Sequence, residues 1–175
     1  MSTHAADPAA RTDATTRWLI DPARSRVEFR TRTFWGMVTV TGRFSRYAGT
    51  LSLSDDPAVE LVIQADSVDT GNERRDKHLR SAAFFDVERH PYVRFVSERV
   101  QLDGERLTVH GHLHAAGRSI PLALNATLRG VDGRLEVQAS ADADHRGLGM
   151  TFSPLGMLRS PSRLTVHGRL SPEVH

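Results

Sequence analysis

From Trp18 onward the chain alternates apolar and polar residues with a period of two. Val27 and Phe29 share one parity while Glu28 and Arg30 share the other, and Val38 and Val40 run on into Gly42 and Phe44. Leu51 and Leu53, then Val59, Leu61 and Ile63, keep the alternation, and Val93, Phe95, Val100 and Leu102 resume it. Four more runs follow: Leu107 to Leu113, Leu122 to Leu128, Leu135 to Ala139, and Leu164 to Leu170. Successive side chains of a strand point to opposite faces, so this is the pattern of half-buried antiparallel strands. Turn signals at Asp55-Asp56-Pro57, Asp103-Gly104-Glu105 and Val131-Asp132-Gly133 separate the runs. About eight strands with short connections predict a closed barrel or a sandwich. Gly42, Gly111 and Gly168 suit the tight bends of a closed sheet, and closure removes exposed edges.

One polar segment breaks the period and predicts a short helix over about 71–81. Thr70 followed by Glu73 reads as a capping box. Arg80 stands near the helix end, where the dipole favours a cation, and Pro91 prevents continuation. Leu79, Phe84 and Phe85 are the apolar residues expected to attach it to the strands. A capped helix set into a strand series reads as a lid or plug on a barrel, which points to a ligand cavity rather than to catalysis. Arg74, Arg75, Lys77 and Arg80, interrupted by Glu73 and Asp76, read as a solvated helix face; transient contact with an anionic membrane surface is the other reading. Trp35, beside Phe34 and Gly36, fits a core position and a cavity mouth equally well.

Composition narrows the class. The chain has 175 residues, 39% apolar and 25% charged, enough for one folded domain. Its expected division is a disordered N-terminal segment, 1–17, and a single domain, 18–172. Net charge is +2, and the 22 Arg and the single Lys, Lys77, are interspersed with acids, so no basic block argues for nucleic acid. The absence of Cys excludes disulfides, thiolate catalysis and Cys-ligated zinc. Met1 to Arg17 carries no apolar core of a secretory signal, and no apolar run approaches the ~20 residues of a membrane span. The expected location is cytoplasmic. Exposed barrel strands leave a homodimer open as an assembly.

Catalytic signatures are missing: there is no nucleophile elbow, phosphate loop, dinucleotide fingerprint or His-Glu-x-x-His. The chain is therefore read as a non-enzyme. Asp142, Asp144 and Gly147 imitate the start of a calcium loop, but Ser153 stands where its bidentate carboxylate belongs. His110, His112 and His114 would project from one face of a strand, a row suited to Zn, Ni or Cu, with His167 as a further ligand brought in by folding. Set against that metal-assisted enzyme is a plainer reading, which is preferred: the histidines are the wet face of a strand whose Val109, Gly111 and Leu113 face inward.

The run Ser67-Val68-Asp69-Thr70-Gly71-Asn72-Glu73-Arg74-Arg75-Asp76-Lys77-His78-Leu79-Arg80-Ser81-Ala82-Ala83-Phe84-Phe85-Asp86, continued to His90-Pro91, closely resembles the signature of the YceI-like, polyisoprenoid-binding family. Ile20-Asp21-Pro22 with Ser25-Arg26-Val27-Glu28-Phe29, Gly42-Arg43-Phe44 with Gly49-Thr50-Leu51, and Gly111-His112-Leu113 with Gly117 and Pro121 extend the match from Trp18 to Leu170. The resemblance implies a mainly β fold, an extended eight-stranded antiparallel β-barrel, lipocalin-like, with the helical insert. It also implies an apolar tunnel that carries or sequesters a small amphiphilic lipid, a quinone or polyprenyl species, with no cofactor required; a fatty acid would fit the same tunnel. A stress-related interaction protein with a filled barrel is the remaining alternative. The chain departs from the family at Arg24, around Thr33 and Phe34, and at Ala116, each in place of a common His, and loosely at Asp144 to Gly149. These departures bear on the head group rather than the barrel. With the apolar parity turned inward, the expected tunnel lining is Val27, Phe29, Val38, Val40, Phe95, Val109, Leu122 and Leu124, joined by Trp35, Leu79, Phe84 and Phe85, with Ala126 leaving space.

Overall fold

The alternating runs form strands of one sheet that closes on itself. A computed structural model describes residues 16–33, 38–150 and 161–174. The strands are β1 (Arg17–Ile20), β2 (Arg26–Thr33), β3 (Val38–Phe44), β4 (Tyr47–Ser52), β5 (Ala58–Gln64), β6 (Val68–Asp69), β7 (Tyr92–Asp103), β8 (Arg106–Ala115), β9 (Arg118–Val131), β10 (Arg134–Ala143) and β11 (Ser162–Pro172). The single α-helix among the described residues, α1, spans Glu73–Arg80. Neighbours pair antiparallel in the order β1-β4-β5-β7-β8-β9-β10-β11, and β11 returns to β1, giving an eight-stranded closed ring. Among the described residues, no helix is long and apolar enough to cross a membrane.

The ring has a branch. β11 pairs with β1 through Leu170–Pro172 and with β2 through Arg163–His167, so β1 and β2 are two parts of one bent strand. The bend is a 3-10 turn at Pro22–Arg24, capped by Asp21, whose carboxylate accepts the Ala23 N–H. Pro22 supplies no amide donor and a fixed φ, which suits the first position of such a turn. β3 pairs with β2, and the short β6 pairs with Arg43 and Phe44 of β3, extending this branch beneath α1.

Turn chemistry closes the hairpins. Asp132 (φ 51°) and Gly133 (φ 73°) join β9 to β10, and Ala116 (φ 52°) and Gly117 (φ 76°) join β8 to β9. Two left-handed residues match the right-handed twist of the strands they connect. Gly111 is needed for packing rather than for a turn: a Cβ there would lie 2.1 Å from the Val96 carbonyl oxygen. That contact falls at the β7 bulge, where the register to β8 shifts between Ser97 and Arg99.

The helix follows the expected span but not the expected capping. Asn72, not Thr70, is the N-cap, and its side chain accepts the Arg75 N–H at 3.0 Å. The Thr70 hydroxyl instead donates to the buried Asp76 carboxylate, which also accepts the Thr70 N–H at 2.9 Å. Asp76 reaches back across the first turn, so the capping box is replaced by a tie to the preceding strand. Nor does Pro91 end the helix: Ser81 leaves it with an extended backbone, and Phe85 and Val87 donate back to the Leu79 and Arg80 carbonyls. The helix cations are not uniformly solvated. Arg80 donates to the Asp66 and Val68 carbonyls, and Arg75 to the Thr70 hydroxyl and carbonyl.

Candidate functional site

The inward parity of the barrel encloses a cavity of about 850 Å³. β2 contributes Val27, Phe29 and Thr31, and β11 contributes Ser162, Leu164, Val166, Gly168 and Leu170. The cross-strand register sets these at matching heights, Val27 opposite Val166 and Phe29 opposite Leu164. On the far wall, Phe95, Val109, Leu122 and Leu124 face the same space, with Ala126 and Ala139 leaving room. Of the twelve residues predicted to line the tunnel, Trp35 lies outside the described residues, as does the side chain of Val38. The other ten, including Val40, all line the cavity.

An aromatic chain covers the α1 side. The Phe29 and Phe44 rings lie 5.7 Å apart, and the Phe85 ring meets Phe44 edge-on at 5.8 Å. Phe84 is buried, and Leu79 packs against the core, so the segment after α1 presses its apolar residues onto the barrel. Edge-on contacts of this kind add ~0.5–1.5 kcal/mol to the area they bury. Arg74 and Arg75 reach the cavity rim from α1, and Arg75 is already bonded to Thr70.

At the end of β2 and β11 the wall turns polar. Thr31 and His145 are buried, and both line the cavity together with Ser162. The Thr31 and Ser162 hydroxyls are 2.6 Å apart, and the Ser162 hydroxyl lies 3.3 Å from His145 Nδ1. His145 opens a 3-10 turn, His145–Leu148, that follows β10. Asp144 caps this turn by accepting the Arg146 N–H, and the Arg146 side chain and backbone hydrogen bonds hold its carboxyl below the usual carboxylate range. Asp144 is thus a turn cap. The sequence reading missed this cluster. Its signal was two hydroxyl residues, Thr31 and Ser162, continuing the inward parity of otherwise apolar strands.

The histidine row faces the other way. His110, His112 and His114 alternate with the buried Val109, Leu113 and Ala115, which places them on the outer surface. His112 Nδ1 lies 2.9 Å from Glu98 Oε1 and its ring 6.5 Å from that of His114. His167 does not join them: β9 and β10 separate its strand, β11, from β8. Among the described residues no three His, Asp or Glu groups are placed to hold a metal ion.

A family profile, the YceI-like domain, matches residues 18–169. A UPF0312 protein of Pectobacterium atrosepticum is 37% identical over 108 residues, covering 59% of this chain and 56% of the relative. The chain thus matches about half the length of such curated relatives. The crystal structure of BcnA from Burkholderia cenocepacia superimposes with a TM-score of 0.77 at 15% identity, covering 86% of this chain and 98% of that one. A polyisoprenoid binding domain from Saccharophagus degradans, implicated in plant cell wall breakdown, gives 0.68 at 18% identity, covering 89% and 98%. At these identities the likeness speaks for the fold.

Proposed function

Because the chain belongs to the YceI-like domain family, we propose that it binds an isoprenoid-type or other amphiphilic lipid, a quinone or polyprenyl species, inside the barrel and carries or sequesters it without chemistry. The observation behind this reading is the cavity of about 850 Å³ and its aliphatic and aromatic wall. At ~24 cal/mol per Å³, a dry void of that size would cost on the order of 20 kcal/mol, more than the ~5–15 kcal/mol that holds a typical domain together. A dry interior is therefore disfavoured. Water in a cavity needs about two to four polar partners, and this wall offers few away from Thr31, Ser162 and His145, so an apolar chain is the better filling. The fold neighbour from Saccharophagus degradans is itself a polyisoprenoid binding domain, which supports the same reading.

Magnitudes favour a long tail. Each buried methylene contributes ~0.8 kcal/mol, while association costs ~4–15 kcal/mol in lost freedom. A short tail therefore binds weakly, and a chain that fills the cavity binds tightly without many polar contacts. A ladder of straight-chain primary alcohols tests this. Affinity should rise about fourfold per added methylene and level off when the cavity is full. Affinity independent of length would reject the reading. The metal-assisted alternative has less support, since its histidines lie outside the barrel, and the filled-barrel alternative has to account for the cavity.

A further inference from the structure

The inward parity of β2 and β11 changes from apolar to polar at one end of the cavity. β2 presents Val27, Phe29 and then Thr31 to the cavity, and β11 presents Ser162 before Leu164 and Val166. With His145 they form a hydrogen-bonded chain at one end of an apolar space. Resting on the lipid-binding reading above, we propose that Thr31, Ser162 and His145 seat the occupant's polar head, and that this head is an uncharged oxygen group, the carbonyl or hydroxyl of a quinone, quinol or polyprenol, rather than a phosphate.

The hydrogen-bond inventory carries the argument. Each hydroxyl has one donor and two acceptor sites. If His145 Nδ1 accepts, the Ser162 hydroxyl donates to it and Thr31 donates to Ser162, which leaves Thr31 an acceptor site toward the cavity. If Nδ1–H donates, Ser162 passes its hydrogen to Thr31, whose own O–H is left to donate. The chain therefore ends on Thr31 in either direction, and Ser162 is the only hydrogen-bond partner of the Thr31 hydroxyl among the described residues. Where the Thr31 O–H is left to donate, a ligand carbonyl supplies the acceptor that a buried donor otherwise lacks, a gap that costs ~1–3 kcal/mol. One direction suits a carbonyl and the other a hydroxyl, so the seat takes both members of a quinone–quinol pair.

A neutral head suits this seat better than a phosphate. A buried anion needs a paired cation and further hydrogen bonds. Among the described residues neither Thr31 nor Ser162 is hydrogen-bonded to a lysine or arginine, and the ionisable member of the seat, His145, already meets the Ser162 hydroxyl through Nδ1. Arg74 and Arg75 line the cavity from α1, and Arg75 is bonded to Thr70.

Three probes sharing a decyl tail test the seat on the full chain: decylubiquinone, decyl phosphate and decylbenzene, each read by displacement of a fluorescent fatty acid. Decylubiquinone should bind the native protein most tightly. Thr31→Val, which keeps the shape and removes the hydroxyl, should weaken it about tenfold and leave decylbenzene unchanged, while Thr31→Ser retains it. If Thr31→Val fails to fold, Ser162→Ala replaces it, with the same loss expected. Equal decylubiquinone affinity in native and hydroxyl-free proteins, or tighter binding of decyl phosphate, overturns the seat while tail binding stands. Failure of all three probes to displace the reporter overturns the cavity reading and the seat together.

Discussion

The wall of the cavity and the collar that covers it are held in opposite ways. The wall is strand ladder outside and bare hydrocarbon inside, and its side chains touch one another with space left over. The collar, residues 65–91, is braced internally by directed polar contacts, Arg80 to two carbonyls and Asp76 to Thr70, and is joined to the barrel through Ser67, which bonds to Gln64 and Arg46. Nondirectional contacts let the wall yield to a ligand's shape. Directed bonds fix the collar's own shape, and its Phe85 ring seats it against Phe44, which in turn meets Phe29. A polar segment that resembles a solvated helix is thus the more rigidly specified of the two.

Substitutions in the two regions should differ accordingly. The largest effect is expected for Asp76→Ala, which removes a buried carboxylate and leaves the part-buried Thr70 N–H without its partner; chemical denaturation should show a loss of about 3 kcal/mol. Arg80→Met keeps the aliphatic stem and removes two bonds to the backbone. It should cost about 1.5 kcal/mol, and hydrogen exchange should quicken in 65–90 while the β7–β9 amides stay protected. A uniform change across the barrel would erase the distinction between collar and wall. In the wall, Leu124→Ala should cost only about 1 kcal/mol, below the ~2–5 kcal/mol of a tightly packed leucine, because its neighbours already face open space. A loss as large as that of Asp76→Ala would mean that the wall is packed as tightly as an ordinary core.

The smallest effect should fall on Tyr47, whose buried hydroxyl has no partner among the described residues. Tyr47→Phe should leave stability unchanged or raise it by up to about 1 kcal/mol. Burial, helped by the charge of Asp21, lifts the Tyr47 phenol above its ordinary value. The unfolded chain therefore loses this proton first. The stability tied to the neutral phenol is whole below the ordinary value near 10 and is lost as pH rises through the raised one. Alkaline denaturation should accordingly be shallower in Tyr47→Phe.

The same contrast explains what was legible in the sequence. The wall was readable because inward parity follows directly from a period of two, as Val27, Phe29, Leu122 and Leu124 illustrate. The collar was readable only in outline. Thr70 and Glu73 satisfy the capping pattern locally, but Asp76 competes for Thr70, and only the folded chain shows that Asp76 wins. Arg80 bonds to Asp66 and Val68, twelve to fourteen residues away, which no helical spacing predicts. His145 gave no periodic signal because it sits in a turn; β10 and β11 bring it to Ser162.

Native mass spectrometry of the protein purified from its own host, followed by organic extraction, tests the central claim most directly. The account predicts a population heavier than the bare chain whose excess mass is released into solvent as an isoprenoid-type or comparable lipid with an uncharged head. Protein that carries only its own mass, yields no lipid and shows a water-filled barrel would contradict it.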